Sequence, residues 1–120
     1  MMGQVTDTSD VEGDLSVRDK AFMDQVYALM EHELSNEEMD ISTLCDILHI
    51  SRTKLYYKIK ALTGMTPSGF FLQYKLNRAA KMLREGELNV SEIAIKTGFS
   101  TLPSFSKAFK KQYGVSPSKY

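Results

Sequence analysis

Apolar residues recur at three- and four-residue spacing along most of this chain, and nowhere do they alternate over a strand's length. From Asp19 the spacing of Phe22, Val26, Leu29 and Met30 predicts a helix with acids on its opposite face, ending near Leu34. In "DISTLCDILHI" Asp40 is placed to N-cap a short helix carrying Leu44, Ile47 and Leu48. In "NVSEIAIKTGF" Asn89 caps, and Glu92 three residues on completes a capping box ahead of Ile93 and Ala94. After tight turns at His49 and Gly98 come "SRTKLYYKIKALTG", with a buried stripe of Leu55, Ile59 and Leu62, and "TLPSFSKAFKKQYG", with Phe105, Phe109 and Tyr113. Gly64 and Gly114 stand where a left-handed residue ends a helix. Thr66-Pro67 and Ser116-Pro117 then offer an N-cap followed by proline at the first helical position.

The two halves align. Asp40 with Asn89, Leu44 with Ile93, Cys45 with Ala94 and His49 with Gly98 are 49 apart. Leu55 with Phe105, Ile59 with Phe109, Gly64 with Gly114 and Pro67 with Pro117 are 50 apart, so the second turn holds one extra residue. A helix-turn-helix has been duplicated. Between the copies "PSGFFLQYKLNRAAKMLRE" predicts a helix using Phe70, Tyr74, Ala79, Ala80 and Leu83, roughly 28 Å long at about 1.5 Å per residue. That length approaches one turn of B-DNA, about 34 Å, the spacing of successive major grooves on one face.

Charge gives the pattern a partner. Residues 1–50 carry twelve acids against two bases, a net −10, whereas residues 51–120 carry thirteen bases against three acids, a net +10. The chain total of zero hides a half suited to a polyanion and a half that is not. With the buried stripes turned inward, the first copy exposes Arg52, Thr53, Lys54, Tyr56, Tyr57, Lys58 and Lys60, Tyr56 lying between core and surface. The second exposes Thr101, Leu102, Pro103, Ser106, Lys107 and Lys110, with Lys111 beside them. A helix in the major groove needs donors for guanine and phosphate oxygens and apolar surface for thymine methyls. Ser51 and Thr101 begin helices whose unbonded N–H groups suit phosphate. Lys75, Arg78, Lys81 and Arg84 on the connecting helix read as solvated charges.

Other functions find little support. The histidines are His32 and His49, and there is no CxxC, HExxH or glycine-rich phosphate loop, so neither catalysis nor a metal or other cofactor is expected. Cys45 alone excludes an internal disulfide and reads as a small core residue. No apolar run suits a membrane span and the N-terminus lacks a secretory layout, so a cytoplasmic location without membrane contact is expected. Residues 1–17 are polar, acidic and aperiodic, and read as a disordered linker or tail, leaving 18–120 as the folded domain. The competing function is a helical protein-interaction module that docks transcription machinery through its acidic N-terminal half.

The segment "NVSEIAIKTGFSTLPSFSKAFKKQYGVSPSKY" resembles the C-terminal signature of the AraC/XylS family of bacterial transcription regulators, in Ala94, Gly98-Phe99-Ser100, Phe105, Phe109-Lys110-Lys111, Gly114 and the terminal Pro-x-x-Tyr. The first half, with "LYYKIKALTGMTP", is similar to versions that end hybrid two-component regulators of the Bacteroides group. The resemblance spans about residues 19–120. It implies an all-α domain of about seven helices, with helix-turn-helix units over about 40–64 and 89–114 and a connecting helix over about 67–85. It also implies sequence-specific binding of double-stranded DNA, with RNA polymerase as a further partner and no small-molecule ligand in this domain.

By the same resemblance the base-reading positions fall on Thr53, Tyr56 and Tyr57, then on Leu102, Pro103, Ser106 and Lys107. Arg52 joins the first set on its own chemistry, and Ser51, Lys54, Lys58, Lys60, Thr101, Lys110 and Lys111 are the phosphate candidates. The sequence departs from the family by lacking polar residues at Leu102 and Pro103, and by placing His49 where the first turn usually has glycine. The acidic lead and the end at Tyr120 suggest a domain cut from a longer regulator, a small standalone activator being the other architecture.

Overall fold

The computed structural model describes residues 9–36 and 41–120, with side chains from residue 17. The described residues hold six α-helices, one 3-10 turn and no strand: α1 (Ser9–His32), α2 (Ile41–Leu48), α3 (Arg52–Thr63), α4 (Pro67–Glu85), α5 (Val90–Lys96), α6 (Leu102–Tyr113) and the turn Pro117–Lys119. They fall into two compact units, Met1–His32 and Glu33–Tyr120.

The first unit is α1. Its buried residues Phe22, Val26 and Met30 repeat every four positions, and Leu29 beside them is half-buried. The helix starts at Ser9, ten residues before the expected Asp19, so the segment expected as a disordered tail supplies its first turns. Nothing in that stretch stops a helix. It lacks proline, Gly13 is its weakest helix former, and acids early in a helix interact favourably with the macrodipole. The expected cap at Asp40 lies outside the described residues.

The second unit is built twice on one shared helix. Helix α2 packs on α3 and α3 on α4, while α5 and α6 pack on each other and on α4. Leu44, Cys45, Leu55, Ile59 and Phe70 are buried in the α2–α3–α4 part. The second core gathers Leu76, Ala79, Ala80, Ile93, Ala94, Phe105 and Phe109, edged by Leu83, Phe99 and Tyr113. Ala79 and Ala80 suit this place because a residue without a long side chain lets α5 and α6 approach the backbone of α4 closely. Ile47 and Leu62, expected inside, are exposed: Ile47 falls beyond the arc of Leu44 and Cys45, and Leu62, though on the arc of Leu55 and Ile59, stands in the last turn of α3 where the other helices do not cover it.

The two turns are the same device. Ile50 N–H donates to the Cys45 carbonyl at 3.1 Å and Phe99 N–H to the Ala94 carbonyl at 3.0 Å, the six-to-one bond of a Schellman ending. That ending needs a left-handed residue, and His49 (φ 57°) and Gly98 (φ 79°) provide it. His49 is the one non-glycine with positive φ among the described residues. Its side chain is exposed, so the strain is local and costs about 1–2 kcal/mol. The second turn carries its extra residue between Gly98 and the cap Thr101, and Phe99 there lies 5.1 Å from the Phe105 ring.

Candidate nucleic-acid interface

Each duplicated unit presents its second helix from a fixed start and a fixed end. At α3 the Ser51 Oγ accepts the Lys54 N–H at 3.1 Å, and at α6 the Thr101 Oγ1 accepts the Ser104 N–H at 3.1 Å. Gly64 (φ 77°) and Gly114 (φ 81°) close them, donating to the carbonyls of Lys60 and Lys110 at 2.9 and 2.7 Å. Upstream, Asn89 and Glu92 form the expected capping box, with N–H donations of 2.8 and 2.9 Å. Thr66 Oγ1 likewise accepts the Gly69 N–H at 3.2 Å to start α4. Ser116 does not cap in this way. Only a three-residue 3-10 turn follows it, and its hydroxyl lies 3.3 Å from that of Ser118 instead.

The helix starts differ in what they leave unbonded. At α3, where Lys54 and Leu55 donate to Ser51, the N–H groups of Arg52 and Thr53 have no acceptor among the described residues. At α6 Pro103 has no N–H, so Leu102 alone carries such a donor. The second start therefore offers an anion one backbone donor where the first offers two.

With Leu55, Ile59, Phe105 and Phe109 fully buried, the opposite faces of α3 and α6 are open. Arg52, Thr53, Lys54, Tyr56, Tyr57 and Lys60 are exposed on α3, and Leu102, Pro103, Lys107, Lys110 and Lys111 on α6, with both cap residues exposed too. Lys58 and Ser106 are half-buried. Tyr57 is 66% exposed. Tyr56 is 42% exposed, and it lines a shallow hollow with Arg52 and the start of α4 at Thr66, Pro67 and Ser68. Its ring meets that of Tyr57 edge to face at 5.5 Å.

Sequence reasoning missed the groups that hold α6 in place. Lys75 is not a solvated charge: it is half-buried, its ammonium 3.4 Å from the Gly98 carbonyl and 5.8 Å above the Phe99 ring. Burial holds its pKa below the usual lysine range. Arg84 donates to the Tyr120 hydroxyl at 2.8 Å, and the Tyr113 hydroxyl donates to Asn77 at 2.7 Å. Tyr120 stands edge-on to Phe109 at 5.1 Å and 5.3 Å from Tyr113. Burial, then the neighbouring Tyr120, pushes the Tyr113 hydroxyl above its usual range, with Arg84 pulling the other way. No local pattern could reveal the three hydrogen bonds, because each joins residues more than twenty apart in sequence. The terminal Pro-x-x-Tyr was the one visible hint.

Among the described residues no three His, Cys, Asp or Glu side chains gather to hold a metal, and no helix is long and apolar enough to cross a membrane. Two capped, outward-facing second helices on one shared helix define a double helix-turn-helix module. Residues 44–120 match the model of a family described as a helix-turn-helix domain. The chain belongs to the AraC-type family of DNA-binding transcription regulators. A protein named histidine kinase P4 from Formosa agariphila is 35% identical over 106 residues, covering 88% of this chain and 8% of its own. The C-terminal domain of the two-component response regulator YesN from Fusobacterium nucleatum superposes with a TM-score of 0.76 at 26% identity, over 83% of this chain and 97% of that one. The DNA-binding domain of AdpA, solved with a target DNA, gives 0.74 at 26% identity over 80% and 86%. The chain spans 8% of that kinase and between 26% and 36% of the other curated regulators it matches.

Proposed function

We propose that this module is the output segment of a larger regulator and places α3 and α6 in successive major grooves on one face of an operator. The observation that carries this reading is the matched pair of exposed, cation-bearing helix faces, flanking a 19-residue helix of about the right length to separate them by a DNA turn. Arg52, Thr53, Tyr56 and Tyr57 read bases from the first head, and Leu102, Pro103, Ser106 and Lys107 meet bases from the second. Ser51, Lys54, Lys58, Lys60, Thr101, Lys110 and Lys111 grip phosphates. The likeness to a response-regulator output domain and to a segment of a histidine kinase supports a two-component setting.

Such binding weakens steeply with salt, because each neutralised phosphate releases counterions. Six phosphate contacts lower affinity by about a thousandfold between 50 and 200 mM salt. Titrations of a fluorescent duplex check this, and equal affinity at both salts contradicts it. Arg52→Ala and Tyr57→Ala relax preference at defined base positions, about tenfold each, whereas Lys111→Ala weakens all sequences alike and lowers the salt slope by about one. A uniform loss for all three variants would remove the division between reading and gripping.

A further inference from the structure

The two heads carry different chemistry at matching places. Where α3 opens with Arg52 and Thr53, α6 opens with Leu102 and Pro103, fifty residues on. Leu102 is 41% exposed although it stands one turn before Phe105 on the side of the buried stripe, and Pro103 is exposed on the opposite side. The first turn of α6 therefore presents an apolar surface with one unpartnered backbone donor. One and two turns beyond Pro103, its side of the helix becomes cationic at Lys107 and Lys110.

An apolar surface pressed on base edges selects strongly. In the major groove the thymine C5-methyl is the apolar group a base offers. Against guanine O6 or cytosine N4 the same surface strips water and returns no hydrogen bond, which is unfavourable. Continuity with Lys107 and Lys110 supplies the attraction that brings this surface to DNA.

We propose that the Leu102–Pro103 surface is a thymine-methyl reader, so that the half-site under α6 is specified by thymines and the half-site under α3 by hydrogen-bonding bases. This deepens the two-head reading and rests on it. Tyr56, Tyr57 and Arg52 then carry polar specificity, and α6 contributes specificity as well as grip.

The test uses duplexes enriched by the full chain from a random pool, with thymines replaced by deoxyuridine in one half-site at a time. Each methyl removed under α6 weakens wild-type binding about fourfold. The same replacement under α3 changes it less than about 1.5-fold. In the Leu102→Ala/Pro103→Ala double variant, whose folding is verified by circular dichroism, the penalty under α6 disappears. If deoxyuridine is neutral in both half-sites while Arg52→Ala still alters base preference, the methyl reader is overturned and the two-head reading stands. If the penalty persists unchanged in the double variant, the methyls act through DNA shape and the inference also fails. If no duplex is enriched, the underlying reading is the one that fails.

Discussion

Phe109→Ala destabilises the second head by about 3–5 kcal/mol, enough to unfold a marginal domain at moderate temperature. The ring is fully buried, and it meets Phe105 at 5.7 Å, Tyr113 at 4.6 Å and Tyr120 at 5.1 Å. Removing it deletes apolar contact and leaves a cavity that the helices α4, α5 and α6 cannot close without moving their alanine-mediated contacts. It also strips the platform on which Tyr120 stands. A thermal melt followed by circular dichroism should fall by about 15 °C or more for a domain of this size. A loss below about 1 kcal/mol would mean that the aromatic cluster is not what fastens α6.

Gly98→Ala costs about 3 kcal/mol or more, through two effects that other positions separate. A Cβ at Gly98 would lie 2.5 Å from the Leu34 carbonyl oxygen, a backbone atom that cannot swing aside. The backbone is also left-handed there, which for alanine costs about 1–2 kcal/mol on its own. Gly64 and Gly114 are equally left-handed, yet a Cβ on either meets nothing within 4 Å. Their alanine variants therefore isolate the conformational part, about 1 kcal/mol each. At the matching first turn, His49→Gly gains about 0.5 kcal/mol, because relief of strain outweighs the added freedom of the unfolded chain. Chemical denaturation of the four variants checks the series, and a Gly98→Ala cost equal to that of Gly114→Ala contradicts it. Gly98 also sets the path into Thr101 and α6, so its substitution degrades reading by the second head before the first.

The comparison of these turns shows what a sequence can reveal. Local chemistry was legible. The cap at Asn89, the left-handed positions at His49 and Gly98, and the inward rings of Phe105 and Phe109 depend on residues within one or two turns of themselves. Long-range placement was not. Leu34 and Leu76 are buried and Leu62 is exposed because of where other helices lie. Lys75 looks like a surface cation until Gly98 and Phe99, more than twenty residues on, fold over it. The early start of α1 escaped notice because the first turns lack an apolar period, although their residues are compatible with a helix. For the interface, period alone identified which side chains face outward on α3 and α6. It could not show that proline deletes a donor at the start of α6 while α3 keeps two.

The difference between the heads also bears on regulation by a larger chain. Under the proposed reading, a module with one polar reader and one apolar reader binds an asymmetric site in a single orientation. Orientation then follows from side chains on two helices rather than from dimer symmetry.

Enrichment of bound duplexes from a random pool, followed by sequencing, tests the two-head claim most directly. Two groups of specified base pairs with centres about 10 base pairs apart, separated by unspecified positions, are expected. A single uninterrupted group, or no enrichment, would contradict it.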